Sequence, residues 1–179
     1  MNNFIQFLTY SRIASGPIIF TLIAIFNSYG VALILFILAS STDYWDGYLA
    51  RKYNLETEVG AVLDPIADKI LVAFLILALT LHLESIFIGF VGGLMLAREF
   101  WVAALRDLNA RNGNTQATQV TFLAKIKTAL QLFAFCSILT GLYLNSSMLL
   151  FISNFFLFLA LIVTLQTGLS YTISTFTKK

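Results

Sequence analysis

The chain has 179 residues, 59% of them hydrophobic and 11% charged, with a mean hydropathy of +0.85. A soluble domain carries about 25% charged residues, so this chain lacks the charge to cover a water-facing surface, and it is equally unlike a disordered chain. A net charge of +2 is too small to point to nucleic acid, and the single cysteine, Cys136, excludes an intrachain disulfide.

Apolar residues run along the whole sequence. Lipid tolerates only backbone whose polar groups are satisfied within the spanning segment, so the composition predicts an all-α polytopic membrane protein. No charge lies between Arg12 and Asp43, and Asn27-Ser28-Tyr29-Gly30 interrupts that stretch. This predicts a first helix from about Phe4 to Phe26 and a second from about Val31 to Leu49. A third is expected from about Gly60 to Leu81 and a fourth from about Ser85 to Leu105. The polar run Asp107 to Thr118 reads as a solvated loop turning at Gly113. No charged residue occurs from Thr128 to Thr177, a length beyond one span of about 20 residues. Asn145-Ser146-Ser147 divides it into a fifth helix, beginning near Val120, and a sixth. The expectation is one domain, residues 1–179, with six transmembrane helices.

Six spans place both termini and the loops after the second and fourth helices on one face. All eleven Lys and Arg fall in those loops and termini or in the helix ends beside them, and the opposite loops hold none. The positive-inside rule makes that face cytoplasmic. The expected location is the inner, cytoplasmic membrane.

Four carboxylates stand in or beside the apolar second and third helices, where ionisable groups are costly and are functional candidates by default. Asp43, Asp46, Gly47 and Ala50 follow i, i+3, i+4, i+7 and share one helix face. Gly60, Asp64 and Asp68 follow i, i+4, i+8 on the next helix. A short connection makes the two helices antiparallel neighbours, so the two faces can meet near the cytoplasmic boundary. Four clustered carboxylates repel, and either protonation or bound cations relieve this. Oxygen donors without nearby Cys or His suit hard cations such as magnesium, manganese or calcium. The small residues leave room for a flat ligand, although in membrane helices they more often serve packing. Arg51 can pair with a phosphate or act as an interfacial anchor.

The pattern reads Asp43-x-x-Asp46-Gly47-x-x-Ala50-Arg51, eight residues, then Gly60-x-x-x-Asp64-x-x-x-Asp68. It resembles the signature of the CDP-alcohol phosphatidyltransferase family at every fixed position. Leu8-Thr9-x-x-Arg12-Ile13 with Pro17, Ala97-Arg98-Glu99-Phe100 with Leu105-Arg106, and Lys125-Ile126-Lys127-Thr128 are similar to its bacterial phosphatidylglycerophosphate synthase branch. The chain departs from that branch at Asn3-Phe4-Ile5-Gln6 and at Ala124.

The resemblance implies transfer of a phosphatidyl group from CDP-diacylglycerol to an alcohol, with release of CMP. It implies Mg2+ or Mn2+ held by Asp43, Asp46, Asp64 and Asp68, with Asp68 also the general base. Gly47, Ala50, Arg51, Thr57 and Gly60 would line the CDP-diacylglycerol pocket. Arg98, Arg106, Lys125 and Lys127 are candidates for the phosphate of an sn-glycerol 3-phosphate acceptor, or are positive-inside anchors. Lys125 and Lys127, two apart on a helix, cannot face the same spot. Arg98 lies about two turns deeper than Arg106, which favours a buried role, with Glu99 as its partner or as a packing group. The resemblance also implies a homodimer surrounded by membrane lipid.

Two rivals remain at this point. One is a sister enzyme with inositol phosphate, serine, choline or phosphatidylglycerol as acceptor. The other is a non-enzymatic cation carrier, which needs polar groups through the full membrane depth; the outer halves of these helices are almost wholly apolar. His82 and Glu84 are expected to be solvated, Cys136 to be core, Trp45 and Trp101 to be interfacial or packing aromatics, and Asn154 to bond a neighbouring helix.

Overall fold

The computed structural model describes the backbone of residues 2–53, 58–114, 119 and 121–177, and the side chains of 7–42, 60, 62–114, 119 and 121–177. Among the described residues there are six helices and no strand: α1 Asn2–Ala24, α2 Tyr29–Tyr53, α3 Glu58–His82, α4 Ile86–Arg111, α5 Phe122–Tyr143 and α6 Ser147–Thr177. Among the described residues, four segments are long and apolar enough to cross a membrane, namely Phe7–Ala24, Ile86–Arg111, Phe122–Tyr143 and Ser147–Thr177, and Tyr29–Thr42 is a shorter apolar stretch. Large apolar side chains such as Ile37, Phe90, Phe133, Phe155 and Leu169 stand exposed on these helices, a surface that lipid covers and water would not tolerate. The protein is an all-α, multi-pass membrane protein.

The helix ends follow capping chemistry. Glu84 (φ 47°), Gly113 (φ 68°) and Asn145 (φ 51°) take the left-handed conformation just past α3, α4 and α5. The next amide in each case closes back five residues, Ser85 N to Thr80 O, Asn114 N to Asn109 O and Ser146 N to Gly141 O, which satisfies carbonyls the helix leaves open. Asn27 (φ 52°) is also left-handed after α1, where Ser28 N closes back six residues to Leu22 O at 2.8 Å. The following helices open on hydroxyl caps. Ile88 N donates to Ser85 Oγ, Ala124 N to Thr121 Oγ1 and Leu149 N to Ser146 Oγ, each at 3.3 Å.

Two expectations need correction. The polar run from Asp107 is helical as far as Arg111, because Ala, Leu and Arg favour helix and Asp107 pairs with Arg111 one turn on at 2.8 Å. His82 is half-buried rather than solvated, with Nε2 2.8 Å from the Tyr29 hydroxyl; Glu84 is exposed as expected.

The chain forms two compact units: residues 1–89 with 142–144, and residues 90–141 with 145–179. In the first, α1 packs against both α2 and α3, and Ile19, Ile23, Phe36, Leu71, Leu75 and Leu79 of these helices are buried. A Cβ at Gly16 would lie 3.1 Å from Phe74 and 3.3 Å from the Ile70 carbonyl, so α1 and α3 approach closely only because position 16 is glycine. In the second unit, Val102, Leu105 and Tyr171 form a buried cluster joining α4 to α6, and Phe133 meets Phe156 edge-on at 4.9 Å between α5 and α6.

Candidate active site

The first unit carries the aspartates. Thr9 and Arg12 stand three apart on α1, on one face, and both are buried. Thr9 Oγ1 donates to Asp64 Oδ1 at 2.8 Å, and Arg12 Nη1 donates to Asp68 Oδ1 at 3.0 Å. Arg12 Nε reaches Thr42 Oγ1 on α2 at 3.4 Å. One guanidinium thus touches α3 at Asp68 and α2 at the residue just before Asp43. Its exposure is 0%, whereas the Asp68 side chain is 47% exposed. A buried cation in a spanning helix needs a partner. Asp68 supplies it and is itself half exposed.

Asp64 and Asp68, one turn apart on α3, present hard oxygen donors, the type that suits magnesium, manganese or calcium. Gly60 is half-buried one turn earlier. The backbone of Asp43, Asp46, Gly47, Ala50 and Arg51 lies in the second half of α2; their side chains, that of Trp45 and the whole of Thr57 lie outside the described residues. Helix arithmetic still relates the pairs. Asp46 precedes the end of α2, and Asp64 follows the start of α3, by about 10 Å. Asp43 and Asp68 stand about 15 Å from the same ends. Among the described residues no group of three or more His, Cys, Asp or Glu is gathered, since two of the four aspartates contribute no described side chain.

The second unit carries the cations. Arg98 and Lys127 are buried, each 8% exposed, and Glu99 is 27% exposed. Glu99 Oε1 accepts from Arg98 Nη1 at 3.0 Å and also from Lys127 Nζ on α5. Arg98 Nη2 donates to Thr167 Oγ1 on α6 at 2.7 Å. The guanidinium carbons of Arg98 and Arg106 lie 5.8 and 5.9 Å from the centre of the Tyr171 ring. The Tyr171 hydroxyl accepts from Thr121 N at 3.3 Å.

Arg98 is buried and Arg106 exposed, and Lys127 is buried where Lys125 is exposed. Glu99 is the partner of Arg98 and of Lys127 as well. Trp101 is exposed and donates to Thr172 Oγ1 at 2.9 Å. Cys136 is half-buried.

Several residues were not anticipated. Arg12 carries the only charge in the first 42 residues, and that isolation within an apolar helix was a signal of pairing. Thr164, Thr167, Gly168 and Tyr171 recur at i, i+3, i+4, i+7 on α6, and all of them are buried. This face passes for apolar span unless its small and polar members are read together.

A family model for CDP-alcohol phosphatidyltransferases matches residues 3–166. The chain belongs to this family. Its relatives include proteins named CDP-diacylglycerol–glycerol-3-phosphate 3-phosphatidyltransferase. That of Rickettsia typhi is 40% identical over 179 aligned residues, covering 96% of each chain. That of Rickettsia bellii is 40% identical over 177, covering 94% of this chain and 93% of the relative. That of Salmonella typhimurium is 39% identical over 104, covering 58% and 57%. The family match includes both the aspartates of the first unit and the Arg98, Glu99 and Lys127 cluster of the second.

Proposed function

We propose that this phosphatidyltransferase moves the phosphatidyl group of CDP-diacylglycerol to sn-glycerol 3-phosphate, giving phosphatidylglycerophosphate and CMP. The acceptor follows the near full-length relatives of that name. The observation carrying the chemical reading is the Arg12 bridge, which ties Asp68 to the start of the Asp43 segment. Without it, aspartates on two helices would be a sequence pattern with no stated proximity.

In this reading Asp43, Asp46, Asp64 and Asp68 hold magnesium or manganese. When bound, the metal offsets carboxylate repulsion and supplies Lewis-acid stabilisation of the phosphates. The chain's own groups do the rest. Thr9 and Arg12 fix one oxygen each of Asp64 and Asp68, so both carboxylates are oriented before substrate arrives. Gly47, Ala50, Arg51, Thr57 and Gly60 bind the CDP-diacylglycerol head. Asp68, half exposed, takes the proton from the acceptor hydroxyl. That oxygen forms a bond to the phosphorus bearing diacylglycerol, the bond from the same phosphorus to CMP breaks, and CMP leaves with the electron pair. Arg98, Arg106, Lys125 and Lys127 serve the acceptor phosphate, with Lys127 and Arg98 the fixed members.

Lipid tails remain in the bilayer throughout, which explains why the chemistry resides in a membrane protein. The clustering of Lys and Arg supports the inner membrane, with both termini and the aspartates facing the cytoplasm. The continuous family match supports a single domain, residues 1–179, and the family resemblance supports a homodimer.

Purified protein given CDP-diacylglycerol, magnesium or manganese and a panel of alcohols should release CMP with glycerol 3-phosphate. Release with inositol phosphate, serine, choline or phosphatidylglycerol instead would reassign the acceptor. No release with any alcohol, together with cation flux in vesicles, would favour a carrier.

A further inference from the structure

We propose that Glu99 is a positioning residue for the acceptor: it holds Arg98 and Lys127 as one preassembled pair to receive the phosphate. This inference rests on the reading that these cations serve the acceptor. Arg98 and Glu99 are consecutive on α4 but reach different neighbours, Arg98 to Thr167 on α6 and Glu99 to Lys127 on α5. The single oxygen Glu99 Oε1 accepts from both cations. Two cations on one carboxylate oxygen leave a surplus positive charge in a mostly buried setting. A phosphate dianion can balance that charge, and a neutral alcohol cannot.

The placement of Arg98 is not the one a free arginine would choose. Its Nε is buried and, among the described residues, has no hydrogen-bond partner. It is pressed against Gly168, where a Cβ would lie 3.0 Å from Arg98 Cγ and 3.2 Å from Nε. A buried unpaired donor is costly. The two Nη contacts, to Glu99 and Thr167, are what hold the side chain there. Lys127 has a long flexible stem, and Glu99 is the partner seen to anchor its ammonium. Without Glu99 the two cations repel and Lys127 is released to rotate.

The test is steady-state kinetics on the full-length protein in lipid-containing micelles, varying each substrate with the other saturating. Glu99→Ala removes charge and acceptor oxygen together. Glu99→Gln keeps a carbonyl oxygen at similar reach and removes only the charge. Glu99→Ala should raise the KM for glycerol 3-phosphate about ten-fold or more, with the KM for CDP-diacylglycerol within about two-fold of wild type. Glu99→Gln should show about a three-fold rise in the same KM. Gly168→Ala, which displaces Arg98 from the other side, should also raise the acceptor KM selectively.

A folded Glu99→Gln with unchanged or lowered acceptor KM overturns the inference. So does a loss confined to kcat, or an equal rise in both KM values, the pattern of a merely structural role. Wild-type protein that releases CMP with an uncharged alcohol and not with glycerol 3-phosphate removes the acceptor reading and this inference together. Active wild type with unresponsive variants removes this inference alone.

Discussion

The two polar clusters are mirror images in charge. In the first unit one buried guanidinium, Arg12, meets Asp68, while Asp64 and, by sequence, Asp43 and Asp46 add further negative charge. In the second unit one carboxylate, Glu99, meets two cations, with Arg106 stacked nearby. Among the described side chains, the contacts shown set one guanidinium against Asp68 in the first cluster and two cations against one carboxylate in the second. Ionisable groups at membrane depth are costly and are functional candidates by default. Under the proposed function the first cluster takes a cation and the second an anion.

The largest effect should come from removing the base. Asp68→Asn is expected to cut turnover about a thousand-fold or more, while CDP-diacylglycerol binding stays measurable by equilibrium titration. A wild-type rate in that variant removes Asp68 from the chemistry. Next, Arg12→Ala strips the first cluster of its buried countercharge. Thermal unfolding should show a lower Tm, corresponding to about 2–3 kcal/mol, a figure reduced from that of a wholly buried pair because Asp68 is half exposed. An unchanged Tm would mean that Arg12 is not the tie between α1, α2 and α3.

The smallest effect sharpens the second cluster. Lys127→Ala should raise the acceptor KM about ten-fold, whereas the exposed Lys125→Ala should stay within about two-fold. Equal effects would mean that both are membrane-surface anchors.

Much of this arrangement was legible in the residue order. Asn27, Gly113 and Asn145 are residue types that accept a left-handed backbone, so three helix ends were readable. Glu84 has no such preference, and only the packed turn places it there. The α4 extension through Arg111 was missed because polarity marks the edge of the membrane and not the end of a helix. The face periodicity of Asp64 and Asp68 gave their shared side. Arg12 as the bridge to Thr42 and Asp68 was not readable, since residues 30 and 56 positions apart meet only through tertiary packing. Arg98 was legible by its depth, but Thr167 and Gly168, which hold and admit it, lay hidden in a helix whose composition reports only lipid.

The central claim is that carboxylates from α2 and α3 gather around one divalent metal centre. Manganese binding to the full-length protein, followed by electron paramagnetic resonance without substrate, tests it apart from activity. The account predicts saturable binding in wild type that weakens about ten-fold or more in both Asp43→Asn and Asp64→Asn. Binding that survives unchanged in either variant, or wild-type protein that retains no manganese, would contradict it.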